Sequence, residues 1–379
     1  MSKAVLRASI LKSLRHQGFQ LQKGLIVPPK GDDKDSLRSL HSEAVKARIA
    51  RAAPGLRRYE SELLTRIANG SEVVPGEIRP RLVPVRANSK AELLFRYARL
   101  HWSIPVSAGY GRRLRFLVVD DHNDKLIGII GLGDPVGALR ARDQWIGWDR
   151  QARLQQLRCV MDAFVLGAVP PYSNLLCGKL VALLATSNEV RRAFRRKYGR
   201  GRSLITGRER DARLALVTTA SALGRSSLYN RLRFAGHQVF ESVGYTRGSG
   251  EFHFSNGVYH AVMDYAQQNL TPTAKHRLWG TGFRNRREIV RKTLLDVGLS
   301  PELVYHGIQR EVFVAPLALN TQAFLQGKAK RLSWHDRPAS EIFREFRDRW
   351  LFPRAAVDSS FYLFSRDQYR LWPSKREEQ

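Results

Sequence analysis

Apolar and polar positions fall into three textures along this chain. Through residues 1–113 apolar residues recur at helical spacing, as in 37–53 and 56–67, with Pro54 and Gly55 between them. Pro28, Pro29, Gly31 and three aspartates make 24–35 a loop. Pro75, Pro80 and Pro84 hold 70–86 extended, and 91–101 reads as a short helix. The pattern then turns to strands. Apolar runs at 116–119 and 126–132 flank a polar turn at 120–125, a hairpin signal. A third run at 157–169 carries one carboxylate, Asp162, and ends at Pro170-Pro171. Ser173 or Asn174 is then placed to cap a helix over 175–198. Leu176, Leu180, Leu183, Leu184, Val190 and Phe194 form its apolar stripe. A strand at 214–219, a short helix at 226–233 and a second hairpin from 239–243 and 251–254 follow. Helices return at 258–267, 286–297 and 339–350, with 312–314 extended between them.

The order β-β-β-helix-β-helix-β-β between 114 and 257 resembles the core of the GNAT acyltransferases. The fold class expected is therefore α+β: a GNAT-like mixed, largely antiparallel sheet with flanking helices, plus N- and C-terminal helical regions. Three parts are expected: a mostly helical 1–113, the core 114–257, and a helical, mixed 258–379. GNAT enzymes usually place a glycine-rich loop after the third core strand, where its N–H groups hold the coenzyme A pyrophosphate. This chain has Pro170-Pro171 there, and proline donates no N–H, so the cofactor is left unknown.

Charge changes the picture most. Lys and Arg number 64 against 34 Asp and Glu, a net charge of +30 in 379 residues. Self-repulsion on this scale is relieved by an anionic partner, and nucleic acid is the leading candidate. Disorder does not explain it, because Trp (7), Tyr (12) and Phe (17) are plentiful. The excess is +13, +10 and +7 over 1–113, 114–257 and 258–379, so no detachable tail carries it. Only Cys159 and Cys177 are present, both in apolar runs, which excludes a disulfide framework or a cysteine-based zinc site and fits a reducing, cytoplasmic setting. No run approaches a membrane span, so no membrane partner is expected.

Several runs resemble the Druantia anti-phage defence family of DruA proteins. They include Trp102-Ser-Ile-Pro-Val-Ser107, Gly109-Tyr-Gly-Arg-Arg-Leu-Arg-Phe-Leu117 and Leu126-Ile-Gly-Ile-Ile-Gly-Leu-Gly-Asp-Pro135. Others are Arg142-Asp-Gln-Trp-Ile-Gly-Trp148, the stretch from Val160 to Tyr172, Ser221-Ala-Leu-Gly-Arg-Ser-Ser-Leu-Tyr-Asn-Arg231 and His306-Gly-Ile-Gln-Arg-Glu-Val-Phe313. The resemblance spans most of the chain. It implies a role in defence against phage beside partner proteins that include a large helicase-like one. It supplies no catalytic residues.

Residues themselves offer four constellations. Between Arg191 and Arg233 lie 13 basic residues and two acids. With Arg112, Arg113 and Arg115, the cations Arg191, Arg192, Arg195, Arg196, Lys197, Arg200, Arg202, Arg208, Arg225 and Arg231 are candidate phosphate contacts, since guanidinium matches phosphate in a bidentate way. Gly224, Ser226 and Ser227 open a turn into the short helix, and Ser173 and Asn174 precede the long one; both are candidate anion pockets. Tyr229, in the first of these, is a candidate catalytic acid by the GNAT resemblance. Finally Asp134, Asp143, Asp149 and Asp162 offer carboxylates, with Asp162 and Asp134 as further catalytic candidates. Converging, they would suit a metal ion; each paired to an arginine, they would be structural. No spacing fixes a metal site. Trp102, Tyr110, Trp145 and Trp148 sit among arginines and suit either base stacking or core packing. The function expected is a nucleic-acid-binding component of an anti-phage defence system; the alternatives are a transferase acting on DNA or nucleotides and a metal-dependent strand-cleaving protein.

Overall fold

The computed structural model describes residues 1–28, 34–106, 111–200, 212–254, 257–273, 279 and 283–373. Its centre is a seven-stranded mixed sheet. In chain order the strands are β1 (Pro80–Pro84), β2 (Arg113–Asp120), β3 (Lys125–Gly133), β4 (Val160–Ala168), β5 (Leu216–Ala220), β6 (Glu241–Tyr245) and β7 (Glu311–Pro316). They lie in the order β1-β2-β3-β4-β5-β7-β6. Every neighbour pair is antiparallel except β4 with β5. The α+β class and the mixed, largely antiparallel sheet follow from these pairings. Strands come from all three parts of the chain, since β1 lies before residue 114 and β7 after 257.

The continuous apolar runs in β2 and β3 reflect a sheet covered on both faces. Leu114, Phe116 and Val118 face one core, with Leu180, Leu183 and Phe194 from the helices behind it. Leu117 and Val119 face a second core with Phe95, Tyr97 and Leu100. Packing on the first face is close: a Cβ at Gly128 would lie 2.7 Å from Val181 Cγ2 and 2.4 Å from the Gly167 carbonyl. A separate helical core joins the N-terminal helix to residues 254–308. Leu6, Ile10 and Leu14 pack there against Val262, Ala266, Ile289, Val290 and Leu294.

Three expectations are corrected. The helix over 175–198 is two helices, α1 (Cys177–Leu184) and α2 (Asn188–Tyr198). Ser187 caps the second by accepting from the Val190 N–H, so a strong N-cap overrides a continuous apolar stripe. Leu176, with φ +61°, precedes the first, so neither Ser173 nor Asn174 is its cap. The short helix at 226–233 is instead a set of turns with one 3-10 turn at Tyr229–Arg231. The second hairpin is also absent: β6 pairs with β7, and Phe252–Phe254 is a 3-10 turn. Among the described residues, no helix is long and apolar enough to cross a membrane. Cys159 and Cys177 are both buried and free.

Candidate active site and basic face

The parallel pair β4 and β5 is joined for only three registers, Val160 with Leu216, Met161 with Val217 and Asp162 with Thr218. Beyond Thr218 the strands part, held by the Thr219 hydroxyl donating to the Ala163 carbonyl at 2.9 Å. Side chains alternate along a strand, so Asp162 and Thr218 project with Val160 and Leu216 on one face, and Thr219 projects with Val217 on the other. Thr218 Oγ1 donates to Asp162 Oδ1 at 2.8 Å. Tyr229 comes to the Thr219 side, its ring 5.0 Å from Phe313 and 5.1 Å from Phe240. Thus Asp162 with Thr218, and Tyr229 with Thr219, lie on opposite faces of the sheet where the paired registers of β4 and β5 end, and Asp162 and Tyr229 are not bonded to each other.

Burial raises the phenol of Tyr229 to about 12; its hydrogen bond with Thr219 opposes the shift and the nearby Asp162 adds to it. At neutral pH it holds its proton, as a general acid must. Burial likewise pushes the Asp162 carboxyl up to about 6, against the Thr218 hydrogen bond and the Arg142 charge. A folded-state value above the unfolded one means the folded protein holds that proton more tightly. The stability Asp162 contributes is therefore complete below the ordinary carboxylate range and lost as pH rises through about 6. Asp162→Asn removes the loss, so the variant is expected to gain stability over the wild type as pH rises from about 4 to about 7. Urea midpoints across that range read it, and parallel curves for the two proteins would count against a desolvated carboxyl.

Other carboxylates are already engaged. Asp134 accepts from Arg112 Nε at 2.7 Å and from the Arg112 N–H at 2.9 Å, while Arg112 also donates to the Arg158 carbonyl. Asp143 is held by Arg142, Arg153 and the Trp148 indole. Asp149 caps the helix Arg150–Gln156. Among the described residues no three His, Cys, Asp or Glu side chains form a metal-binding group. Asp134 and Asp143 are thus paired with arginines, whereas Asp149 is a helix cap and Asp162 is bonded to Thr218.

The anion pocket at Gly224 is filled from within. The Ser226 N–H donates to Glu311 Oε2 at 2.9 Å, and Ser242 donates to Glu311 Oε1 at 2.7 Å. The Ser226 hydroxyl accepts from the Leu228 and Tyr229 N–H groups. Ser227 is exposed beside them. A buried carboxylate therefore stands where an incoming anion would, and sequence reasoning missed it because Glu311 lies far along the chain on β7. Ser173 donates to Asn174, and Asn174 donates to Ser360 and takes Arg354 on its carbonyl, which ties this pair into the C-terminal region.

The basic candidates divide. Arg115 is paired with Glu92 at 2.7 Å, and Arg112 with Asp134, both largely buried. Arg191 lies over the Trp334 ring at 4.3 Å. By contrast Arg192, Arg195, Arg196, Lys197 and Arg200 are exposed on and just after α2, opposite its buried Val190, Ala193 and Phe194. Lys197 and Tyr198 both donate to the Arg113 carbonyl, at 2.9 and 2.7 Å, which brings exposed Arg113 into the same face. Arg225 is exposed near Glu311, and exposed Arg231 lies near Lys179, away from that helix end in the contacts they make. Arg202, Arg208 and Tyr110 lie outside the described residues. The tryptophans pack: Trp102 lies against Gly167, Trp145 donates to Glu241, and Trp148 to Asp143.

Comparison with known proteins bears on this whole arrangement. The family model described as Druantia protein DruA matches residues 31–327. Druantia protein DruA of Escherichia coli (strain UMEA 4076-1) is 39% identical over 376 residues, which is 99% of this chain and 91% of that protein. No solved structure matches significantly. A model match over most of the sheet and its flanks, with a relative aligned almost end to end, means that the chain belongs to the Druantia protein DruA family.

Proposed function

We infer that this protein is the nucleic-acid-binding component of a Druantia-type anti-phage defence system, acting on or sensing phage DNA in the cytoplasm with a helicase-like partner. The carrying observation is the exposed cation face formed by Arg113, Arg192, Arg195, Arg196, Lys197 and Arg200, on a chain of net charge +30. Glu189 lies 3.8 Å from Arg192 at the start of this face. Cations held on a rigid helix end suit a phosphate backbone, and each phosphate neutralised releases counterion. Binding of short single and double strands across a salt series tests it. The expected result is a log–log slope of roughly −4 to −6, as five or six such contacts give. A flat salt dependence removes the reading.

A second reading, a transferase on a GNAT-like core that modifies DNA or nucleotides, is favoured by one observation. The mixed, largely antiparallel sheet, with Tyr229 and Asp162 beside its one parallel pair, agrees with the GNAT-like core expected from the order of elements. Tyr229 would protonate a leaving group there. The expected outcome is loss of phage protection in Tyr229→Phe with the thermal midpoint unchanged, and a new nucleoside mass in cells carrying the wild type. Protection retained by the variant rejects this role.

A further inference from the structure

A cavity of about 470 Å³ lies between the helix Lys34–Leu56, the helix Lys90–Ala98 and Pro105-Val106. Five arginines line it: Arg48, Arg51, Arg96, Arg99 and Arg286. No carboxylate is among its lining residues. The rest of its wall is alanine, leucine, proline and valine. Four of the five arginines are half-buried and only Arg51 is exposed. Arg99 Nε is buried without a hydrogen-bond partner. Arg286 is otherwise engaged, lying over the Tyr259 ring at 4.0 Å.

Gathering like charges in a recess costs stability unless an anion enters. Burial, with neighbouring arginines adding to it, lowers Arg48 and Arg99 to about 10. They remain charged at neutral pH, so the repulsion is permanent. Guanidinium forks present paired donors suited to phosphate oxygens. The arginines line a recess, whereas a duplex backbone is convex and meets exposed ridges. Its volume falls within the usual range for small-ligand sites. Five cations and an apolar wall together match a compact polyanion with a flat apolar part.

We propose that this cavity binds a nucleoside di- or triphosphate, the phosphates on Arg48, Arg51, Arg96 and Arg99 and the base against the apolar wall. No residue lining the cavity belongs to the exposed cation face, so variants of the two sets separate this proposal from DNA binding. Full-length protein is titrated calorimetrically with ATP, GTP, tripolyphosphate and adenosine, and thermal midpoints are recorded. Both nucleotides are expected to bind and raise the midpoint, tripolyphosphate to bind more weakly, and adenosine not to bind. Arg48→Met with Arg99→Met is expected to weaken ATP at least tenfold while raising the midpoint of the ligand-free protein, since repulsion is relieved. A merely structural role would lower that midpoint instead. If the double variant does not fold, Arg51→Glu, at an exposed position, takes its place with the same expected loss. No binding by either nucleotide, unchanged affinity in the variants, or loss of DNA binding with nucleotide binding intact overturns the proposal.

Discussion

Asp143→Ala is expected to destabilise the fold by about 3–5 kcal/mol, the cost of leaving a buried charge without its partner. Arg142 is fully buried. Its Nε and Nη2 donate to Asp143 Oδ1 at 2.8 and 2.7 Å, and its Nη1 donates to the Val136 carbonyl at 2.9 Å. Removing the carboxylate strands that guanidinium, and it also deprives the Trp148 indole and Arg153 of their acceptor. The effect reaches the candidate active site, because the Arg142 charge acts on Asp162. Removing both charges tests the cause. Arg142→Met combined with Asp143→Ala is expected to recover most of the loss, since an apolar replacement for a buried pair is often close to neutral. Chemical denaturation midpoints measure both variants. A loss under about 1 kcal/mol for Asp143→Ala would mean the arginine finds other partners or water.

Local pattern was informative where the cause of structure was local. β2 and β3 were legible because both faces are covered, so Phe116–Val119 and Leu126–Leu132 read as unbroken apolar runs. β4 was legible with its one odd residue, Asp162, which lies at the last paired register with β5. What failed depended on remote partners or on one residue overriding a period. The stripe from Leu176 to Phe194 does continue in space, but Ser187 restarts the helix. β6 joins β7 rather than its nearest neighbour in sequence, and the sheet takes the edge strand β1 and the inner strand β7 from beyond the expected core. Glu311 belongs to the same class, as the carboxylate closing the Gly224 turn arrives from that distant strand. The arginine cavity had a visible signal that went unused. Arg48 and Arg51, and Arg96 and Arg99, are each three apart on helical patterns, which places each pair on one face. Which faces would meet was a matter of tertiary packing.

Neutralising three exposed cations should test the DNA-binding surface most sharply. Arg192→Gln, Arg196→Gln and Arg200→Gln together are expected to reduce the log–log salt slope by about 3 units and weaken DNA binding on the order of 100-fold at about 0.1 M salt. These positions lie opposite the buried Val190, Ala193 and Phe194, so the helix keeps its packing. Gln matches Arg closely in helix propensity, and the lost interaction with the helix dipole costs only about 0.3–1 kcal/mol. Arg112→Gln supplies the contrasting control. Its side chain is 13% exposed and bound to Asp134, so it is expected to lower stability while leaving the salt slope unchanged. Arginines from one dense sequence block and its neighbour thus separate by geometry: Arg192, Arg196 and Arg200 face solvent, while Arg112 ties the start of β2 to the end of β3 through Asp134. If the triple variant kept the wild-type slope, the charge excess on this helix would be a solvated surface, and the phosphate contacts would have to lie elsewhere on the chain.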